Sequence, residues 1–498
     1  MALLFCDGFD KYGTPTNQTV AANLQTALQA EWTTASSGLA IVAGLSGTGY
    51  ALSTNNVSSG AVSKTLATNY SRLIGGVRFN ANLALSAGGV QFRDTGTNQC
   101  SISLDLSGTI SLRTGSLSGT ALATGALFSA GSTHYLEWDI TFGSSASYQV
   151  WLDGVSIFSG TGNTRGGTSN NFANQLVLAN QPSASTNFFD DLYLFDTTGS
   201  TNNAVLLTSP QIETQFPSSD SSVQFSFGAA VLGQATQGVT GTNAPGANEL
   251  FLRKYTTGPS ATLASVSCIP GATNGAANFK AVVYADSSGS PTGSTLATGT
   301  QVTGTTSGTA LTSAFSSPPT LSASTVYWIG FITDTSVVLQ ETDSNSSGYS
   351  KSNTYGSGPP TTPSMTSGQG SWIIYGNLNS TGVNYYEENI NPPPGDVSYV
   401  SSSTTGQEDL YSFPALTTPN PATIYSVVVK GYIKRTDSGA RTVSMQCHSG
   451  STDTPGPTVA PGTSYTWIDA NFDTDPNTSS AWGASGVNAA TSGYKIQS

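Results

Sequence analysis

Charge is what this chain has least of. Asp, Glu, Lys and Arg make up 9% of its 498 residues, against about 25% in an ordinary soluble protein, so its surface must be built from hydroxyl and amide groups. Basic residues are the scarcer kind: 16 Lys and Arg stand against 28 Asp and Glu, for a net charge of −12. Affinity for a phosphate backbone comes from clustered cations that displace counterions, so nucleic acid is not an expected partner. The four cysteines, Cys6, Cys100, Cys268 and Cys447, lack the CxxC spacing of a zinc site. No stretch approaches 18 consecutive apolar residues, so no membrane insertion is expected. The opening residues Met1 to Cys6 lack a basic start, and Asp7 cuts their apolar run, so a secretory signal is not expected and synthesis falls in the cytosol. In that reducing setting free buried thiols are favoured over a Cys6–Cys100 disulfide, the alternative open within the first domain.

What fills the chain instead is Gly (55), an excess of Ser and Thr, and 20 Phe, 20 Tyr and 7 Trp. That much aromatic surface argues against disorder and for β-sheets faced with Ser and Thr. At roughly 150 residues per domain the length suggests about three domains. From Phe5 to Phe195 short apolar alternations are separated by Gly, Ser, Thr and Asn clusters, the pattern of an antiparallel sandwich. Thr19 to Trp32 is the one helical stretch there. The sharpest hairpin is Tyr135 to Phe158: Leu136, Trp138, Ile140 and Phe142 share one face, Gly143 to Ser147 turn the chain, and Asp153-Gly154 make the next tight turn. The closing strand is expected within Phe188–Asn203, with Phe189, Tyr193 and Phe195 as an aromatic face alternating with Asp190, Leu192, Leu194 and Asp196.

The opening Phe5-Cys6-Asp7-Gly8-Phe9-Asp10, the pair Tyr135 to Ile140 with Tyr148 to Gly154, and the closing Phe189 to Asp196 together resemble the concanavalin A-like, laminin G-like jelly roll. More closely, their order and spacing are similar to a family of tailed-bacteriophage virion proteins that begin with such a domain. The resemblance covers about the first 200 residues and part of the C-terminal region. After it, Val205 to Phe216 is expected to hold a strand through Ile212 to Gln215. Its matching continuation, Tyr385 to Glu388, Gly395 to Val400 and Asp409 to Pro414, comes only much later. An inserted domain is the reading that follows.

The insertion has its own sandwich pattern: Ala281 to Asp286, the turn Gly289-Ser290-Pro291, a strand within Leu321–Asp334 and a last one at Trp372 to Tyr375. Ser344 to Gly370 is read as a long loop or linker. The C-terminal part offers a hairpin of Ile424 to Lys434 with Arg441 to Cys447 about the turn Asp437 to Gly439. The expected fold is therefore all-β, with three β-sandwich or jelly-roll domains: 1–203, a discontinuous 204–226 plus 379–498, and an inserted 227–378.

For chemistry, Glu137 and Asp139 have the same-face spacing of a glycosidase acid pair. Retaining hydrolysis needs two carboxyls about 5 Å apart, and the positions for a further acid hold Thr141 and Phe142, so a solvated face is expected there and no enzyme. His134 and His448, the only histidines, fall in different domains and form no Ser-His-Asp set. Gly160 to Gly166 follows a hairpin and precedes no helix, so it is a loop and not a dinucleotide fingerprint. The jelly-roll resemblance implies that Asp7, Asp10, Asp190 and Asp191 meet where first and closing strands pair, with Ca²⁺ as the ion such a rim would hold; acidic ends that keep a sheet edge soluble are the other reading. Trp151, Tyr148, Trp328 and Tyr327 are read as core in preference to sugar-stacking residues. The expected function is a non-enzymatic phage structural protein on the virion surface, assembled in the host cytoplasm, in contact with other virion proteins and oligomeric, as a trimer. The alternatives are an adhesin or tail-fibre component that binds host glycan and, third, a polysaccharide-degrading enzyme.

Overall fold

The computed structural model describes residues 3–15, 21–54, 62–81, 88–105, 107–180, 186–198, 202–227, 231–233, 241–257, 261–273, 275–304, 306–322, 325–341, 348–379, 384, 399–417, 421 and 423–498. The fold is all-β with short helices such as Ala21–Gln29. Two compact units emerge: one of residues 1–222, 389–393 and 404–498, the other of 223–388 and 394–403.

The first unit opens with a two-sheet sandwich. One sheet runs, edge to edge, Val155–Gly162, Ala146–Leu152, Thr133–Thr141, Arg72–Ala81, Asn187–Phe195, Tyr50–Ser53 and Ala40–Ala43, with Leu3–Asp7 also pairing Asn187–Phe195. The facing sheet runs Ala121–Leu127, Thr109–Thr114, Thr97–Leu104, Gly88–Asp94, Ala173–Asn180, Val62–Tyr70 and Thr34–Ala35. The expected hairpin forms in register, with Leu136 opposite Leu152 and Ile140 opposite Tyr148, and Leu136, Trp138, Ile140 and Phe142 all enter the core. Gly75 and Gly76 make this packing feasible: a Cβ on Gly75 would lie 2.6 Å from the Trp138 ring, and one on Gly76 2.7 Å from both Tyr135 and Tyr193.

The closing strand corrects one expectation. Its register against Arg72–Ala81 slips between Asp190 and Tyr193, where Asp191 takes a left-handed φ of 49°. One extra residue at this bulge swaps the faces. Phe189 therefore joins the sandwich core with Leu192 and Leu194, while Tyr193 and Phe195 point outward to a second cluster with Leu3, Ile74 and Tyr135. Val205, Leu206 and Val428 cover that cluster. The segment expected as a strand at Ile212 to Gln215 pairs with no sheet. It is held by side chains instead.

The C-terminal residues of this unit, joined at one edge by Ser219–Ser222, make a five-stranded sheet, Ser219–Ser222, Glu408–Ser412, Thr491–Ile496, Val443–Ser449 and Thr452–Pro455, and a two-stranded one. The expected hairpin of Ile424 to Lys434 with Arg441 to Cys447 does not form. Val427–Ile433 pairs instead with Thr466–Phe472, and Val443–Ser449 sits between the strands Thr491–Ile496 and Thr452–Pro455. Ile468, Ala470, Phe472, Val443, Met445 and Trp482 are buried there.

The second unit has a seven-stranded sheet in which Asn278–Ser287, Val326–Thr333 and Glu249–Thr256 are central, and a five-stranded sheet built on Ala261–Cys268 and Ile374–Asn379. Phe251, Phe279, Val283, Ile329, Phe331, Trp372 and Ile374 are among its core residues. The stretch read as a linker supplies two strands of the larger sheet, Gly348–Ser352 and Thr366–Gln369. Tyr349, Tyr355 and Met365 then pack over Trp328 and Tyr284 on the sheet's other face. The expected continuation at Tyr385 to Glu388 lies outside the described residues.

Candidate functional site

The four aspartates expected at the rim sit where first and closing strands pair, but they serve different partners. Asp7 turns inward: its Oδ1 accepts from the Phe9 N–H at 2.9 Å and Lys11 Nζ at 3.0 Å, and its Oδ2 from Trp32 Nε1 at 2.9 Å and the Tyr12 hydroxyl. Asp191, on the bulge, accepts from Arg78 Nε at 2.7 Å and the Ile212 N–H at 2.8 Å. Arg78 in turn donates to the carbonyls of Ser209 and Pro210, so this pair clamps the strandless segment onto the sandwich. Asp10 accepts from the Tyr50 N–H at 2.6 Å; Asp190 accepts from the Leu45 N–H and from the N–H of Asp191, both at 2.8 Å.

Burial pushes the Asp10 carboxyl up to about 6 against the hydrogen bonds from Tyr50 and Thr214. Burial likewise raises Asp190, helped by the neighbouring charges of Asp191 and Asp10, and raises Asp191 despite Ile212 and Arg78. A hard cation needs six to eight oxygen ligands. Two of the four carboxylates are turned to an ammonium or a guanidinium, so the four do not fit one shared Ca²⁺ centre. Among the described residues, no group of three or more His, Cys, Asp or Glu is arranged to hold a metal ion.

Glu137 is not on a solvated face. Its side chain is buried, and Oε1 accepts from the Tyr193 hydroxyl at 2.6 Å and from the N–H groups of Leu206 and Leu207 at 3.0 Å each. Asp139, two residues on, is partly exposed and takes a two-pronged contact from Arg72, at 2.7 and 2.5 Å. The outward cluster of Tyr193 and Tyr135 draws the segment after residue 203 over Glu137, which the strand's own alternation does not reveal. His134 uses both ring nitrogens: Nδ1 bonds Asp153 Oδ2 at 2.8 Å and Nε2 accepts from the Ser129 N–H at 3.3 Å, with Phe79 and Phe128 against the ring. His448 bonds Asp453 in the C-terminal sheet. Gly160 and Gly162 close a strand, and Thr164 accepts from the Gly143 N–H at 3.0 Å, so that loop is structural. Trp151, Tyr148, Trp328 and Tyr327 are buried, and all four thiols are free.

Sequence reasoning missed the densest charged group in the first unit. Glu31, at the end of the helical stretch, is buried to 4% side-chain exposure and meets Lys64 at 3.0 Å, Lys430 at 3.4 Å and Lys11 at 3.8 Å. Lys64 and Lys430 also lie over the Phe5 ring, at 4.4 and 5.5 Å from its centroid. Burial opposes the charge on Glu31, but the three ammonium groups prevail and hold its carboxyl far below the usual range. Burial likewise opposes the charge on Lys430, which Glu31 and other acids nevertheless hold protonated far above the usual range. The scarcity of lysine was the one available signal, since three of only a few converge here.

No protein-family model matches the chain, and no curated protein matches it. Among solved structures, the botulinum neurotoxin type G receptor binding domain aligns at 8% identity over 35% of this chain and 43% of that one, with a TM-score of 0.25. The cellulose induced protein Cip1 aligns at 12% identity over 33% of this chain and 91% of that one, with a TM-score of 0.26. The carbohydrate binding module CBM66 from Bacillus subtilis aligns at 11% identity over 32% of this chain and 92% of that one, with a TM-score of 0.20. Superpositions this partial carry no argument about activity, ligand or partner.

Proposed function

We propose that the chain is a non-enzymatic structural protein of a virion surface, in keeping with its resemblance to tailed-bacteriophage virion proteins, assembled in the host cytoplasm and in contact with other virion proteins. The observation that supports this most is the use made of its few charged side chains. Glu137, Asp191 and Arg78 tie the segment after the closing strand to the jelly roll, and Glu31 with Lys430 ties in the two-stranded sheet of Val427–Ile433 and Thr466–Phe472. Glu137, one of the two acids with catalytic spacing, is thus used to hold the fold together. Labelling of purified particles with an antibody to this chain, viewed by electron microscopy, tests the reading: regular labelling at the surface supports it, and its absence from particles overturns it. Particle surfaces repeat, so a symmetric oligomer is part of the proposal, with a trimer as the expected form. A stable monomer in sedimentation at micromolar concentration counts against that form.

A second reading, an adhesin that binds host glycan, is favoured by the polar outer face of the sandwich's seven-stranded sheet, where Gln91, Arg93 and Gln175 lie on adjoining strands. Glycan-array binding by the full chain separates it from a purely structural role. An enzyme would show polysaccharide turnover that disappears in Glu137→Gln or Asp139→Asn.

A further inference from the structure

On the strand Gly88–Asp94, Val90 and Phe92 enter the core, which places Gln91 and Arg93 on the opposite, outer face of the seven-stranded sheet. Arg93 stands in a cross-strand row: Asn98 on one side, Gln175 on the other, and Thr65 beyond it. Its Nε donates to Asn98 Oδ1 and its Nη2 to Gln91 Oε1, both at 2.7 Å. Both acceptors are neutral amides. Beside Gln91 the turn after Thr114 crosses the sheet, tied by Ser101 Oγ to the Gly115 carbonyl at 2.6 Å and by Arg113 to the Gly119 carbonyl at 2.9 Å. Leu117 of that turn packs on Val177 and Ala179, making a wall along one side of the row.

The other arginines of this face and its partner sheet show what is missing. Arg72, Arg78 and Arg113 are each paired with a carboxylate, Asp139, Asp191 and Asp105. Arg93, half-buried, has no carboxylate partner among the described residues, and burial alone acts on it, lowering its pKa. In a chain with acids in excess, a guanidinium partly withdrawn from water and left without an acid is a cost that an outside anion would relieve. Gln175 Oε1 accepts from the Gly96 N–H at 2.9 Å and its Nε2 donates to Thr65 Oγ1 at 3.0 Å, so the row is held in place and presents the Asn98 amide nitrogen, the second N–H of Gln175 and the Thr65 hydroxyl proton at the spacing of adjacent strands, about 4.8 Å, suited to sugar hydroxyls and not to a bare ion.

We propose that this face binds a carboxylated saccharide, with Arg93 taking the sugar carboxylate and Asn98, Gln175 and Thr65 the hydroxyl groups beside it. The site goes beyond a structural role and does not depend on it: a chain absent from particles would leave this site standing, and a chain without the site could still be a virion component.

The test is calorimetric titration of the full chain with two acid and neutral pairs, galacturonate trisaccharide against galactose trisaccharide and sialyllactose against lactose, with sodium acetate and inorganic phosphate as separate arms. At least one acidic sugar binds more tightly than its neutral partner by about tenfold or more, the margin of a charge-assisted hydrogen-bonded pair. Arg93→Gln abolishes that margin with an unchanged melting temperature, and Arg93→Lys retains part of it because the charge remains while the planar fork is lost. Equal binding of acid and neutral sugars, no binding of any saccharide, or a margin that survives Arg93→Gln overturns the proposal. Acetate or phosphate alone binding as tightly as the sugars also overturns it, since the site would then read a free anion.

Discussion

Replacing Glu31 with glutamine leaves three buried or half-buried ammonium groups, Lys11, Lys64 and Lys430, without their common counter-ion. At an effective dielectric near 20, each pair at about 4 Å contributes roughly 4 kcal/mol of attraction, largely offset by the desolvation of both ions. Breaking a buried pair by removing one partner costs about 3–5 kcal/mol, because the remaining charge stays buried. Glutamine retains an oxygen for Lys64, which also donates to the Glu31 carbonyl at 2.6 Å, so the expected loss is about 3 kcal/mol, the lower end of that range. Urea unfolding of the first unit's signal should show a lower midpoint at unchanged slope. Lys430→Met should cost a similar amount, and the double variant less than the sum, since the Glu31–Lys430 attraction is lost only once. Because the folded state depresses the Glu31 pKa, its contribution is present above the ordinary carboxylate range and is lost as pH falls toward the folded value. The wild-type advantage over Glu31→Gln should therefore shrink below about pH 4.5. A loss under about 1 kcal/mol at pH 7, or additive single costs, would refute the reasoning.

Asp10 works in the opposite sense. Its folded pKa is raised from 3.8 to about 6, so its proton is held more tightly in the folded state, and that stability is present below the ordinary value and lost as pH rises through 6. Asp10→Asn should stabilise by about 1–3 kcal/mol at pH 7.5 and by little at pH 4; thermal melts at both pH values check it, and a variant less stable at pH 7.5 contradicts it. Glu137→Gln should lower stability by about 1–2 kcal/mol through weaker acceptance from Tyr193, Leu206 and Leu207, read by urea midpoint. Trp138→Ala should cost about 3–5 kcal/mol by opening a cavity against Phe92, and a cost below 1 would mean the sandwich closes over the gap. Removing residues 223–403 and joining Ser222 to Thr404 by a short Gly/Ser linker should leave a folded, monodisperse product, because Ser219–Ser222 and Glu408–Ser412 pair directly. Aggregation on a sizing column would count against it.

The period-two alternation was enough for the all-β class and for the hairpin about Gly143, where partners are neighbours in sequence. It failed where partners are distant. Val427–Ile433 chooses Thr466–Phe472 over the nearer Val443–Ser449, and nothing in the composition of three apolar strands ranks those pairings. The bulge at Asp191 is equally silent, since one residue with a positive φ reverses two faces without changing the text around it. Glu137 read as solvated because the cover over it comes from residues 205–207, which reach it only after that reversal. Asp7, Asp10, Asp190 and Asp191 were brought to one region by strand pairing, yet their partners, Lys11, Tyr50, Leu45 and Arg78, follow from side-chain directions that alternation leaves open.

The pairing of Glu31 with Lys430 spans 399 positions of the chain. At a ribosomal rate of about 5–20 residues per second, roughly 20 to 80 s separate the synthesis of the two. For that interval a newly made jelly roll has only Lys11 and Lys64 to answer its buried acid, and Tyr193 and Phe195 lack the cover of Val428. The first domain to leave the ribosome is thus the last to be finished, and its aromatic patch stays covered only from the side of Val205 and Leu206 until the final quarter of the chain arrives.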